Sequence, residues 1–536
     1  MTSRWDLADL AGEARYHALP LGGLQDKATL NFMKRQGVKG DAGQITTVTR
    51  RYGNHPLTLH ILGDYLARYF EGDIMQASQL AELPVGTPQG VLLQSILDGY
   101  WAHLSLEERF FMTRLAAFRG GVVEDALQVL TRSNPQTPAF AELLERLANS
   151  ALLNTEQVEN QRIFTTHTLV KTYFYDRMGQ EEQRKTHVEL KNYAEGKPLP
   201  QQIRTLSELE PLLDACYHCI KAGLHKEAYT IFAGRELLKP LLHLCQYDRA
   251  LEMLIPLIES TQTEFLPGKL TLSDLGWLHN SAAIMFANSG RLQHALVHYR
   301  SALAITELLD DWDNVIVTSL NLADLMIQMG RLEAAFEMLQ KSDELIKANP
   351  ALRFKAEDVL LGRLGRYYAL AGQQEKAQKM YADAITRSVH QGNPRALCQC
   401  YIWQGELFLD SGDSPAALVA IEKALKITKR QKYMDYQGHA LKVEADVHRL
   451  AYDFPAALRH YQEALRIAED VGYRLLQVEA LIGLAKLNQG LGDMTGARTF
   501  GLKALHLAQE SDLGLHRQWA CAILDSISAN STEISA

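Results

Sequence analysis

The hydrophobic pattern of the chain changes character near residue 200. Beyond that point apolar residues recur three and four apart, as in Ala295-Leu296-Val297-His298-Tyr299-Arg300-Ser301-Ala302-Leu303 and Ala457-Leu458-Arg459-His460-Tyr461-Gln462-Glu463-Ala464-Leu465, the spacing that gives a helix one apolar face. Glycines punctuate these stretches at Gly290, Gly330, Gly372, Gly412 and Gly492, with Tyr452 midway across the widest gap. Five residues after each mark stands an alanine (Ala295, Ala335, Ala377, Ala417, Ala457, Ala497), and seven before it a small residue (Ala283, Ala323, Gly365, Gly405, Ala445, Ala485). Twelve after it come Ala302, Ser342, Ala384, Ala424, Ala464 and Ala504. Each unit therefore predicts a helix, a tight turn and an antiparallel helix. Small residues recur where two helix backbones cross closely, and glycine accepts the turn geometry. The slot nine after the mark, with Tyr299, Leu339, Tyr381, Ile421 and Tyr461, predicts packing core rather than a base-stacking platform.

This pattern resembles the tetratricopeptide repeat, with about six residues added to its usual period. The resemblance implies an all-α fold, a right-handed α-α superhelix of helical hairpins over 205–528 and clearest over 272–510. Weaker units extend upstream. Gly223, Ala228 and Cys216 keep the same offsets, and Tyr247-Asp248-Arg249-Ala250-Leu251 reads as another second-helix start. Residues 514–526 predict a capping helix, and Ser528-Ala529-Asn530-Ser531-Thr532 a frayed end.

Before residue 200 the period is absent. Arg15-Tyr16-His17-Ala18-Leu19-Pro20-Leu21 predicts a short strand, and helical patterns follow from Gly22 to about 115, then around Phe110–Phe118 and Phe140–Leu147. Leu152-Leu153-Asn154 through Arg162-Ile163-Phe164 predicts a hairpin, with a helix from Thr168.

Helices followed by a two-stranded wing resemble a winged-helix domain. Thr2-Ser3-Arg4, the segment into Leu19-Pro20-Leu21-Gly22-Gly23-Leu24, Arg51-Tyr52-Gly53-Asn54-His55-Pro56-Leu57-Thr58-Leu59 and Phe164-Thr165-Thr166-His167-Thr168-Leu169-Val170 resemble the rear half of an NB-ARC module. Such modules are the nucleotide switches of STAND signalling ATPases, a class that includes many bacterial regulators. The resemblance implies the edge of a nucleotide-binding core at 1–25, a helical ARC-like domain at 26–92 and a winged helix at 93–182, ahead of the repeats. It implies that Arg4 senses the terminal phosphate, Pro56 packs on adenine and His167 touches the diphosphate. These roles suit the chemistry, since arginine is a planar donor to phosphate and histidine changes charge near neutrality. The family's acidic residue after the histidine is Thr168 here. Nothing in the chain reads G-x-x-x-x-G-K-[ST], the loop whose amides cradle phosphates. The chain is therefore expected to be the C-terminal part of a longer STAND protein, without ATP turnover of its own. No cofactor is expected in this chain alone; ADP or ATP with Mg²⁺ and self-association through the nucleotide module are implied for the full-length parent.

Charge and cysteine usage narrow the other classes. Lys+Arg 55 against Asp+Glu 63 leave a net charge of −8, which argues against capture of nucleic acid or an anionic membrane. No apolar run has the length of a membrane span, and the N-terminus lacks the order of a signal peptide. Six cysteines are too sparse for a disulfide scaffold and point to a reducing cytoplasm. Cys216-Tyr217-His218-Cys219 with His243 and Cys245 has metal-ligand spacing, but Cys216 and Cys245 fall in packing and turn slots, so no metal site is expected. No catalytic motif is present.

Binding is expected on the first helices of the pairs, which line the concave side of such arrays. Six residues before each mark stand Ile284, Asp324, Arg366, Glu406, Asp446 and Lys486, joined on that face by Asn280, Asn288, Lys442 and Arg449. Solvation of an empty groove is the plain explanation; mixed charge also fits a groove for a protein or peptide ligand. The function expected is the sensor and regulatory portion of a STAND-type ATPase, coupling that ligand to an ADP/ATP switch. The alternatives are a stand-alone scaffold for protein–protein interaction and a transcription regulator.

Overall fold

Two hydrophobic patterns build two units, Met1–Gly196 and Lys197–Ala536. The computed structural model describes residues 22–80, 89–123, 126–127, 138–158, 161–200, 203–234, 237–260 and 270–533. Arg4 and the strand expected at 15–21 lie outside them.

In the first unit, helices Asp26–Arg35, Ala42–Arg51, Pro56–Tyr69, Gln89–His103, Leu106–Leu115, Pro138–Ala148, Thr168–Asp176 and Gln180–Glu195 surround a core that includes Met33, Ile45, Leu62, Ile96, Phe111 and Phe174. The helix expected around Phe110–Phe118 starts earlier and ends at Leu115. Its start is set by a reciprocal capping box between Ser105 and Glu108, which satisfies two amides that a helix end leaves open. Strands β1 (Val122–Val123), β2 (Asn154–Val158) and β3 (Gln161–Thr165) form an antiparallel sheet in the order β1-β3-β2. The expected hairpin is thus β2–β3, with Thr155 opposite Phe164. Phe164 is buried from the central strand, whereas β2 is exposed.

In the second unit the repeat pattern becomes helical hairpins. Leu272–Asn288 pairs with Leu292–Leu308, Trp312–Gln328 with Leu332–Ala348, and Pro350–Leu370 with Gln374–Gln391. Pro394–Asp410 then pairs with Ser414–Gln431, Met434–Leu450 with Phe454–Asp470, and Arg474–Gly490 with Met494–Glu510. All six turn marks have positive φ, including the non-glycine Tyr452 at 60°. A left-handed tyrosine is strained. Here its side chain lies 80% exposed, and Asp453 caps the next helix by accepting from the Ala456 amide.

The small slots are close crossings. All six alanines five after the marks are fully buried, as are the residues twelve after them. A Cβ at Gly365 would meet Tyr381 Cε1 at 2.6 Å, so the absent side chain makes room for the tyrosine of the second helix. Replacing the neighbouring Ala377, fully buried against Tyr381 and Leu407, with leucine is expected to cost about 1–3 kcal/mol through overpacking. Urea unfolding followed by circular dichroism checks this; an unchanged midpoint would remove the slot from the close crossings.

Upstream, Leu206–Lys221 and His225–Tyr229 turn at Gly223, and Leu238–His243 and Tyr247–Glu259 turn at Cys245, whose φ is 54°. Cys216 and Cys219 are buried packing residues. At the other end the expected frayed tail is instead helical: Gly514–Glu533 is continuous, extending the cap through Ser528 and Thr532.

The array also curls back on itself. The Gly330 turn packs on Gly514 and Leu515, and the Gly290 turn on Arg474 and Ser511. The His243 ring lies 5.5 Å from that of Tyr433. These contacts narrow the concave side into a partly closed interior.

Candidate ligand-binding interior

Residues at the same offset in successive hairpins are neighbours in space, because each hairpin stacks on the last. Charges of opposite sign at one offset therefore face each other. Arg366 Nη1 donates to Glu406 Oε2 at 2.5 Å, and Arg395 Nη2 donates to Asp435 Oδ2 at 2.7 Å. His439 Nδ1 lies 3.0 Å from Glu479 Oε2, and His516 Nε2 lies 3.1 Å from Glu479 Oε1.

The charged row six before each mark thus behaves differently from an unpaired groove. Lys442 Nζ donates to Glu406 Oε1 at 3.1 Å and stands 3.2 Å from Asp446 Oδ2. Tyr461 OH donates to Asp446 Oδ1 at 2.6 Å, and Arg449 Nη2 reaches the same oxygen at 3.5 Å. Arg366, Glu406, Lys442, Asp446 and Arg449 are one mutually neutralising network whose side chains are 14–20% exposed. Burial opposes ionisation of Glu406, but Arg366 and Lys442 outweigh it and hold its carboxyl below the usual range. The same contest at Asp446 is won by Lys442 and the Tyr461 hydroxyl. At Glu479, too, burial is outweighed, by His439 and His516, and the carboxyl is held well below its ordinary value. Lys486 is exposed to water, yet desolvation lowers its ammonium and Asp446 only partly restores it.

Two cavities open beside this network. The smaller, about 70 Å³, is lined by Asp324, Arg366, Glu406, Trp403, His439, Glu479 and His516. The larger, about 630 Å³, draws on the first helices from the Gly290 hairpin to the Tyr452 hairpin and on Tyr473, which caps the first helix of the Gly492 hairpin. Its polar wall includes Asn288, Asn321, Asp324, Arg363, Gln399, Arg395 and Asp435, and its apolar wall Ile284, Val317, Val359 and Tyr473. Asn321 Nδ2 donates to Asn280 Oδ1 at 3.4 Å, and Arg363 Nη2 donates to Asn321 Oδ1 at 3.3 Å. Arg363 is 8% exposed, and its Nε has no hydrogen-bond partner. A buried donor of this kind costs free energy until an acceptor reaches it.

Of the residues expected to bind, Asn288, Asp324, Arg366 and Glu406 line these cavities and Asn280 stands behind Asn321, whereas Lys442, Asp446 and Arg449 serve the ion network. The sequence pattern alone does not single out Asn321, Arg363, Arg395, Asp435 or the His439–Glu479–His516 group. In the first unit, Pro56 is the first residue of its helix and exposed, and His167 is the N-cap of Thr168–Asp176, its Nδ1 accepting from the Leu169 amide at 3.3 Å.

Comparison with known proteins agrees on the repeat. The tetratricopeptide repeat family profile matches residues 273–347, the Gly290 and Gly330 hairpins. No curated protein sequence matches the chain. Among solved structures, the chain is similar to a signal transduction ATPase with numerous domains (STAND) that carries a tetratricopeptide repeat sensor, from Pyrococcus horikoshii. They share 15% identity over 95% of this chain and 70% of that one, with a TM-score of 0.42. It is also similar to a Rap protein complexed with competence and sporulation factor (11% identity, 66% and 94% coverage, TM-score 0.40). A third likeness is to the Rap conjugation gene regulator of plasmid pLS20 in complex with the Phr* peptide (14%, 64% and 89%, 0.44). These identities and scores are too low to carry a function across. Among the described residues no helix is long and apolar enough to cross a membrane.

Proposed function

We propose that the repeat array binds an extended protein or peptide segment inside its curl, as the sensor and regulatory portion of a STAND-type switch. The observation that carries the binding is the larger cavity. Residues of successive hairpins line it and offer donors, acceptors and apolar walls, which an extended backbone with side chains on both sides can use. Its buried Arg363 keeps an open donor, Nε, which an incoming carbonyl or carboxylate would satisfy.

The switch half of the reading rests on the motif resemblance of residues 1–182, with His167 as the residue whose imidazole would meet the diphosphate. A stand-alone interaction scaffold is the second reading, favoured by the use of His167 as a helix cap.

The binding half is tested by incubating the full chain with a pool of short random-sequence peptides and identifying those retained. Wild type is expected to enrich a defined subset. Arg363→Met, which keeps the stem and removes the donors, is expected to lower that retention at least about tenfold with the fold preserved. Equal retention by both would move recognition out of the cavity.

A further inference from the structure

The Tyr452 hairpin differs from its neighbours at three slots on one face near its turn. Glu444 and His448 lie one helical turn apart on the first helix, and His460 faces them from the second. One ligand-capable atom from each lies within 4.8 Å of the others. The two imidazole rings stack with centroids 5.3 Å apart and planes inclined by only 2°. His460 Nδ1 is 3.4 Å from Glu444 Oε2, and His448 Nδ1 is 3.4 Å from Asp453 Oδ2. All three side chains are partly exposed, so an ion can reach them.

Packing does not call for this set. In the sister hairpins after the first, the slots four before and eight after the turn hold Met326 with Met338, Tyr368 with Met380, Phe408 with Ala420, and Asn488 with Phe500. The slot eight before it holds Ala282, Leu322, Leu364, Gln404 and Leu484. The Gly290 hairpin has one histidine here, His298, and pairs it with Phe286. Only the Tyr452 hairpin fills all three slots with metal-ligating groups, where the apolar Leu322, Met326 and Met338 suit the same backbone in the Gly330 hairpin.

We propose that Glu444, His448 and His460 form a binding site for a late first-row divalent cation of the Zn²⁺ type. Two imidazoles and one carboxylate on converging helices are a donor set such ions favour, with water completing the coordination. Asp453 adds the outer contact. A carboxylate on one ring nitrogen fixes a histidine's orientation and raises its basicity as a ligand. The carboxylate is available because its other oxygen, Oδ1, accepts the cap bond from the Ala456 amide at 3.2 Å. A bound ion would tie the two helices of one hairpin together beside Asp446 and Arg449, so metal would stiffen the array at the ion network.

The test is a calorimetric titration of the full chain with Zn²⁺ alone, with a parallel Co²⁺ titration read by its visible absorption. The comparison variant is E444Q/H448F/H460A, which installs the trio of the preceding hairpin, Gln404, Phe408 and Ala420, and so preserves packing. Wild type is expected to take up one more equivalent than the variant, to show a ligand-field spectrum the variant lacks, and to gain melting temperature on Zn²⁺ addition. The variant's affinity at this site should be at least about tenfold weaker. Should the triple variant fold poorly, His460→Ala alone, which matches Ala420 in the preceding hairpin, is read the same way. Equal stoichiometry and affinity in the folded variant, or no uptake by wild type, would overturn the proposal.

Discussion

Glu406→Ala is expected to lower the unfolding free energy by about 3–5 kcal/mol, the cost of stranding charges in a poorly solvated place. Glu406 is the shared acceptor of Arg366 at 2.5 Å and Lys442 at 3.1 Å, and all three are largely buried. Lys442 retains Asp446, so most of the penalty falls on Arg366. The double variant R366M/E406L is expected to recover most of the loss, because it removes charge and counter-charge together and leaves Lys442 on Asp446. Urea unfolding of the three proteins measures this. An equal loss in single and double variants would mean that packing, not charge, holds this layer. The sign with pH follows from the depressed carboxyls of Glu406, Asp446 and Glu479. Their contribution is fully present above the unfolded carboxylate range, near pH 4, and is lost as pH falls through their lower folded values.

A second large effect is expected where the array closes. A Cβ at Gly514 would run into the Met329 carbonyl, with the Gly330 amide nitrogen next at 3.5 Å. Gly514→Val cannot be absorbed by rotating a side chain, since the obstacle is backbone. The turn and the last helix must separate, opening the smaller cavity, which Leu515 and His516 help to wall. The expected result is a larger radius of gyration in small-angle scattering and a loss of about 1–3 kcal/mol in stability. Retention of interior-binding peptides should fall at least about tenfold, because Asp324, Gln328, Gln399 and Tyr473, which line both cavities, lose their preformed placement. An unchanged radius of gyration would show that the contact across the curl is dispensable.

Much of the fold is legible in the sequence because the repeat constrains it at close crossings. Ala295, Ala377 and Ala457 are alanine for a reason that recurs every forty or so residues, and Tyr452 declares itself as the turn by position although its side chain argues against it. The closure is not legible, because Gly514 and Gly330 are far apart in sequence and nothing periodic links them. The candidate row is half legible. Offset six before the mark stands out, and its charges suggest a row facing a ligand; the stacking of equal offsets instead turns Arg366 and Glu406 toward each other. The same helical face continues at offsets nine, thirteen and seventeen, three or four residues at a time. Following it reaches Asn321 and Arg363, then Gln399, His439 and Glu479, then Arg395 and Asp435. At His167 the sequence marks a polar residue entering a helix, and the structure supplies its cap bond.

The most direct test of the central claim, that recognition takes place inside the curl, is to map where a bound peptide lies. Random-sequence peptides carrying a photoreactive phenylalanine derivative are irradiated with the full chain, and the labelled residues are identified by mass spectrometry. The account predicts labels on the cavity wall, at Asn288, Arg363, Gln399 and Tyr473, competed away by the same peptides without the photoreactive group. Labels confined to exposed residues of the second helices, such as Val297, Val389 and Val419, would contradict it.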